Sequence, residues 1–220
     1  MSDEPKHPHT AFWDFSARII TPTVRRRIQD PVAAHAVELG YGTGDLLVPA
    51  SHFFGSVTAL PLASGDDAES ATRLTLAAAR GNVSVHSGDE HSLASMQSDH
   101  ADFIYSLHGV SRLPDLQAFR SLVADCARVL KPGGLAMLWF GRLSRLPFAL
   151  PDSAWLKGYR VGAGNDGHPL LCLRMFHARR AVLATGMKAV ALSTPLHPDT
   201  SWRLLRGGHL SFVTALKPGH

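Results

Sequence analysis

Two periodicities alternate along the chain. Short apolar runs are separated by stretches in which apolar positions recur every three or four residues, the pattern of a β/α chain with a buried parallel sheet. Ala36 to Leu39, Val57 to Leu60, Val83 to His86, Asp102 to Leu107 and Leu135 to Phe140 read as strands. The stretches after them, Thr43 to Phe53, Asp67 to Arg80 and Asp115 to Leu130, read as helices. The last is the clearest. Asp115 suits an N-cap, Leu116, Phe119, Leu122, Val123, Cys126, Val129 and Leu130 fall on one face, and Pro132-Gly133-Gly134 ends the helix and turns the chain into the next strand. Ahead of the first strand, Ala11 to Ile20 and Thr23 to Ile28 form two short amphipathic helices broken at Pro22, a cap laid over the sheet. Gly141 to Leu170 is rich in Pro, Gly and Arg and reads as substrate-facing loop. A helix from His177 to Thr185 is stopped by Gly186, and Lys188 to Ser193 and His209 to Leu216 then form an antiparallel edge pair.

The first strand runs directly into Gly40-Tyr41-Gly42-Thr43-Gly44. Glycines at this spacing turn the backbone sharply and let a ligand approach main-chain N–H groups that a Cβ would block. The spacing is G-x-G-x-G and lacks the third, helix-packing glycine of the dinucleotide fingerprint. Glu38 stands just before the glycines in an otherwise apolar run, where a carboxylate must find donors or cost several kcal/mol of desolvation. Farther on stands Arg128-Val129-Leu130-Lys131-Pro132-Gly133-Gly134.

Together, Glu38-Leu39-Gly40-Tyr41-Gly42-Thr43-Gly44 and Arg128 to Gly134 resemble the first and last core motifs of the class I S-adenosylmethionine-dependent methyltransferases of small-molecule type. The resemblance runs from about Phe12 to Leu216 and implies a Rossmann-like α/β fold: a seven-stranded, mostly parallel sheet with an antiparallel C-terminal edge strand and helices on both faces. It implies S-adenosyl-L-methionine as cofactor, held by Glu38, Gly40, Tyr41, Gly42, Gly44 and Ser106. Asp89 and Glu90, in the Ser87-Gly88-Asp89-Glu90 turn, would meet the adenine. Phe12-Trp13-Asp14-Phe15-Ser16-Ala17-Arg18 resembles the aromatic-and-acid segment with which many of these enzymes close over their ligands. One position departs from the family. Pro61 follows the second strand where a carboxylate that accepts the ribose hydroxyls is expected, and Asp66 and Asp67 are the nearest acids downstream. A charge-assisted hydrogen bond is worth roughly 1.5–3 kcal/mol, so its absence weakens binding about 10- to 150-fold.

The C-terminal end of a central parallel strand faces the ligand crevice, and His108 follows the fourth strand there. It is the candidate catalytic residue, a general base for a hydroxyl, amine or carbon acid. Trp13, His108, Trp139 and Arg142 are the candidate substrate contacts. The expected function is methyl transfer to a small molecule. The alternative is a degenerate methyltransferase fold that binds the cofactor or a partner without methyl transfer, or that catalyses a non-methylating reaction. A nicotinamide oxidoreductase would give the Lys131-Pro132-Gly133-Gly134 turn no role.

Composition narrows this further. At 220 residues the chain fits a single domain, with residues 1–9 as a disordered tail and 10–34 as the helical cap. The excess of 22 basic over 18 acidic residues is too mild for a nucleic-acid footprint, and no Asn/Asp-Pro-Pro-Tyr motif follows the fourth strand. No nucleic acid and no membrane is expected as a partner, and the polar N-terminus without an apolar targeting run points to the cytoplasm. Cys126 and Cys172 fall in apolar patterns as buried thiols, and the 13 histidines show no ligand spacing, so no metal is expected. Oligomeric state is not legible.

Overall fold

A computed structural model describes residues 8–62, 75, 78–86, 92–107, 109–142, 159–163, 169–193 and 209–219. Among the described residues nine strands form one sheet: β1 His35–Leu39, β2 Ser56–Leu60, β3 Val83–Val85, β4 Ala101–Ser106, β5 Leu130–Arg142, β6 Tyr159–Ala163, β7 Pro169–Leu173, β8 Lys188–Ser193 and β9 His209–Leu216. The helices are α1 Pro8–Asp14, α2 Pro22–Arg27, α3 Leu47–Phe53, α4 Leu116–Val129 and α5 Met175–Ala184, with a π turn, Phe15–Ile19, after α1.

The path across the sheet is β3-β2-β1-β4-β5-β7-β6, with β9 pairing both β5 and β8. Strands β1 to β5 pair with one another in parallel, and β9 runs antiparallel to β5. The antiparallel C-terminal strand is as expected, and β8 lies outside it as the edge. Two strands beyond the expected seven come from the β6–β7 hairpin, in the stretch expected to be loop. Its position follows from the register. Strand β9 occupies one side of β5 from Leu135 to Arg142, and β4 occupies the other as far as Ser106↔Leu138. Strand β7 pairs Gly141 and Arg142 in parallel, so it takes the side β4 has vacated and stands over the C-terminal end of β4. Gly141 permits this approach, since a Cβ there would lie 2.8 Å from Cys172 Sγ.

Alternation along the strands divides the core between the two faces. Ile104, Leu138 and Phe140 pack with Phe119 and Val123 of α4 and Val182 of α5. Phe103, Tyr105, Met137 and Trp139 pack on the opposite face with Phe15, Ile19 and Val24 of the N-terminal cap and Leu47 of α3. Asp115 caps α4 as expected, its Oδ1 accepting from Ala118 N at 2.8 Å. The helix ends at Val129, and β5 begins at once, five residues ahead of its expected start at Leu135. Pro132-Gly133-Gly134 is an irregularity inside the strand, crossed by a register shift, and Gly133 N and Gly134 O bond the backbone of Lys217 instead. Both cysteines are buried free thiols. Among the described residues no helix is long and apolar enough to cross a membrane, and no group of three or more potential ligands could hold a metal ion.

Candidate cofactor site

The loop after β1 is a run of three left-handed glycines: Gly40 at φ +67°, Gly42 at +53° and Gly44 at +76°. Gly40 N donates to Leu60 O at 2.8 Å, continuing the sheet by one bond, and Gly44 N closes a turn on Tyr41 O at 2.8 Å. Helix α3 therefore starts at Leu47 rather than at Thr43. Two of these glycines serve different ends. A Cβ on Gly40 would lie 2.5 Å from Gly109 Cα, so the glycine loop and the turn after β4 pack backbone on backbone. A Cβ on Gly42 would meet no described atom within 4 Å, which leaves the main chain open there to a ligand. Tyr41 is buried, and its hydroxyl donates to His86 O at 3.2 Å, tying the loop to the end of β3.

Glu38, 3% exposed, lies opposite Tyr105 in the parallel ladder of β1 and β4. The Tyr105 hydroxyl donates to Glu38 Oε2 at 2.8 Å. Burial pushes the Glu38 carboxyl up to about 8; the Tyr105 hydrogen bond favours the ionised form and opposes this, and the charge of Asp45 adds to the rise. Burial thus favours the protonated carboxyl, and a bound cation would favour the ionised one. Tyr105 was not among the residues expected at the site. Its only signal is a phenol between Ile104 and Ser106 in the fourth strand, and its partner emerges from the register.

Ser106, the last residue of β4, is fully buried, and its Oγ has no hydrogen-bond partner among the described residues. Trp139 is 2% exposed, its ring centroid 4.7 Å from that of Phe212 and its indole N–H unpartnered. Trp13, by contrast, is 52% exposed on α1. The structure thus does not put the two tryptophans in one environment. Arg142 pairs its main chain with both β7 and β9. Its side chain, together with His108, Asp89, Glu90, Asp66 and Asp67, lies outside the described residues. The neighbours of His108 are described: Leu107 is buried, and Gly109 packs on Gly40. Pro61 follows β2, and Leu62 after it reaches into the Gly40–Gly109 contact, its Cδ1 2.7 Å from where a Cβ of Gly109 would stand.

Residues 37–138, from within β1 to within β5, match the family model described as a methyltransferase domain. The matched stretch, which holds the glycine loop, is similar to a methyltransferase domain. The fold of the chain is that of solved methyltransferases. One is the 1,6-didemethyltoxoflavin-N1-methyltransferase of Burkholderia thailandensis, solved with bound 1,6-didemethyltoxoflavin and S-adenosylhomocysteine (TM-score 0.64, 16% identity, 99% of this chain and 93% of that one). A second is CalS10, an amino pentose methyltransferase from Micromonospora echinaspora with bound S-adenosylmethionine (TM-score 0.59, 20% identity, 97% and 92%). The [4+2]-cyclase SpnF shares the fold equally well (TM-score 0.64, 15% identity, 94% and 84%). No curated protein sequence matches.

The residues present fit S-adenosylmethionine, the ligand of the M. echinaspora enzyme, at three points. The main chain at Gly42 is open on its Cβ side. Glu38 is a buried acid that a cationic ligand would ionise. Ser106 Oγ is an unspent hydrogen-bonding group at the C-terminal end of β4, the end that faces the crevice in such sheets. At Pro61 the fit is poorer, since that side chain offers the ribose no acceptor.

Proposed function

We propose that this protein transfers the methyl group of S-adenosylmethionine to a small-molecule acceptor bound under the N-terminal cap. The observation that carries the reading is what surrounds the crevice. The described chain places the short cap helices on one face of the sheet and the β6–β7 hairpin over the end of β4, and neither is an appended nucleic-acid-binding module. The B. thailandensis and M. echinaspora enzymes, named for a toxoflavin precursor and an amino pentose, support the same class.

Bound in this crevice, the cofactor supplies a methyl group already activated for in-line attack. The remaining work belongs to the chain. Gly40, Gly42 and Gly44 hold the loop open for main-chain contact, Glu38 receives the cationic amine, and Asp89 and Glu90 meet the adenine. His108, between Leu107 and the Gly109 packed on Gly40, accepts the acceptor's proton as attack proceeds. Trp13, Trp139 and Arg142 are proposed to contact the acceptor. Much of the barrier reduction needs only that the nucleophile and methyl be held in line.

Incubation of the protein with methyl-labelled S-adenosylmethionine and a fractionated cell extract tests the acceptor class. Label is expected in the small-molecule fraction. Label in RNA or protein instead would overturn the reading. Pro61 favours one other reading, a protein of this fold that binds the cofactor without transferring its methyl, and SpnF, named as a cyclase, has the same architecture. Cofactor binding with no labelled product in any fraction would select it.

A further inference from the structure

We propose that Tyr105 is a positioning residue for the cofactor: its hydroxyl, fixed 2.8 Å from Glu38 Oε2 between β1 and β4, orients the Glu38 carboxylate and supports its charge toward the cofactor's amine. This rests on the functional reading above and adds a residue that neither core motif contains.

Three observations converge. Glu38 and Tyr105 are direct partners in the parallel ladder, so the backbone sets their separation. The phenol cannot swing away, because its ring stacks on Phe103 at 5.4 Å and meets the edge of Phe15, from the N-terminal cap, at 6.1 Å. Tyr105 is fully buried and Glu38 nearly so, which excludes water as a substitute donor and strengthens a charge-assisted bond. The bond engages one carboxyl oxygen and leaves the other outside it. Burial also holds the Tyr105 phenol well above its ordinary range, so it remains a donor throughout the working pH range.

The charges around the pair are few. Asp45, on the glycine loop, raises the Glu38 carboxyl, and the cap packed over Tyr105 carries Asp14 and Arg18, which pair with each other at 3.2 Å. Cofactor binding by an ionised Glu38 therefore strengthens as pH rises toward about 8 and levels off above it. Without the Tyr105 donor the ionised form loses support, and the plateau moves to higher pH.

Titration calorimetry with S-adenosylhomocysteine from pH 6 to 10, on the full chain, reads this directly. Tyr105→Phe keeps the ring and removes one oxygen. It should weaken binding about 10-fold at neutral pH and move the plateau up by about one pH unit. The ligand's own amine titration is read in Glu38→Gln, where the added Tyr105→Phe change should cost almost nothing. A purely packing role would lower affinity equally in both backgrounds and leave the profile in place, and either result overturns the proposal. If Tyr105→Phe does not fold, 3-fluorotyrosine at position 105, a stronger donor of nearly the same size, should move the plateau down; an unmoved profile is again contradictory. No binding by the wild-type chain at any pH would instead sink the functional reading, and this inference with it.

Discussion

Gly42→Val is expected to abolish S-adenosylmethionine binding while leaving the chain folded. At φ +53° a β-branched side chain costs on the order of 1–2 kcal/mol, a loss that a well-packed sheet tolerates. The new Cβ would meet no described atom within 4 Å. The side chain would fill the side from which a ligand reaches the main chain. Gly40 makes the contrast. There a Cβ meets Gly109 Cα at 2.5 Å, so substitution disturbs the protein itself by forcing the glycine loop away from the β4 turn. Thermal unfolding and calorimetry separate the two effects. A Gly42→Val protein that bound the cofactor at wild-type affinity would remove the glycine loop from the site.

His108→Ala is expected to lower turnover by roughly 10²- to 10⁴-fold with cofactor affinity nearly intact, because only proton transfer loses its acceptor. The rate should also lose its ionisation near neutral pH. In the sequence the residue stands between Leu107, just after β4, and Gly109, whose backbone touches the glycine loop. Steady-state kinetics across pH decide the matter. Turnover retained with only a raised acceptor KM would make His108 a wall of the pocket and leave catalysis to proximity.

How far the sequence carries depends on the range of the interaction concerned. The glycine loop, the strand before it and the amphipathic α4 with its Asp115 cap are local facts, set by a few neighbouring residues, and they were legible. So were Lys188–Ser193 and His209–Leu216, whose composition marks them as strands without help from elsewhere. The β6–β7 hairpin was not. Gly162 lies inside one strand and Pro169 opens the other, both signals against a strand, and the pair is stabilised by docking on Gly141 and Arg142, far from it in sequence. Pro132-Gly133-Gly134 misled in the same way: it reads as a break, yet the sheet continues through it because Lys217 supplies the backbone partners. At the site, Glu38 announced itself as an acid in an apolar run. Tyr105 did not, because what makes it matter is the registration of β4 against β1. The packing of Trp139 against Phe212 likewise depends on the pairing of β5 with β9, which no local signal announces.

The central claim is that the crevice at Gly40–Gly44 receives S-adenosylmethionine, and calorimetric titration of the wild-type chain with S-adenosylmethionine, S-adenosylhomocysteine and NAD tests it most directly. Saturable binding of both sulfur ligands is expected, at an affinity about 10- to 150-fold below that of a site with the ribose carboxylate that Pro61 lacks, and no binding of NAD. No heat from either sulfur ligand at millimolar concentration, or saturable binding of NAD in their place, would contradict the account.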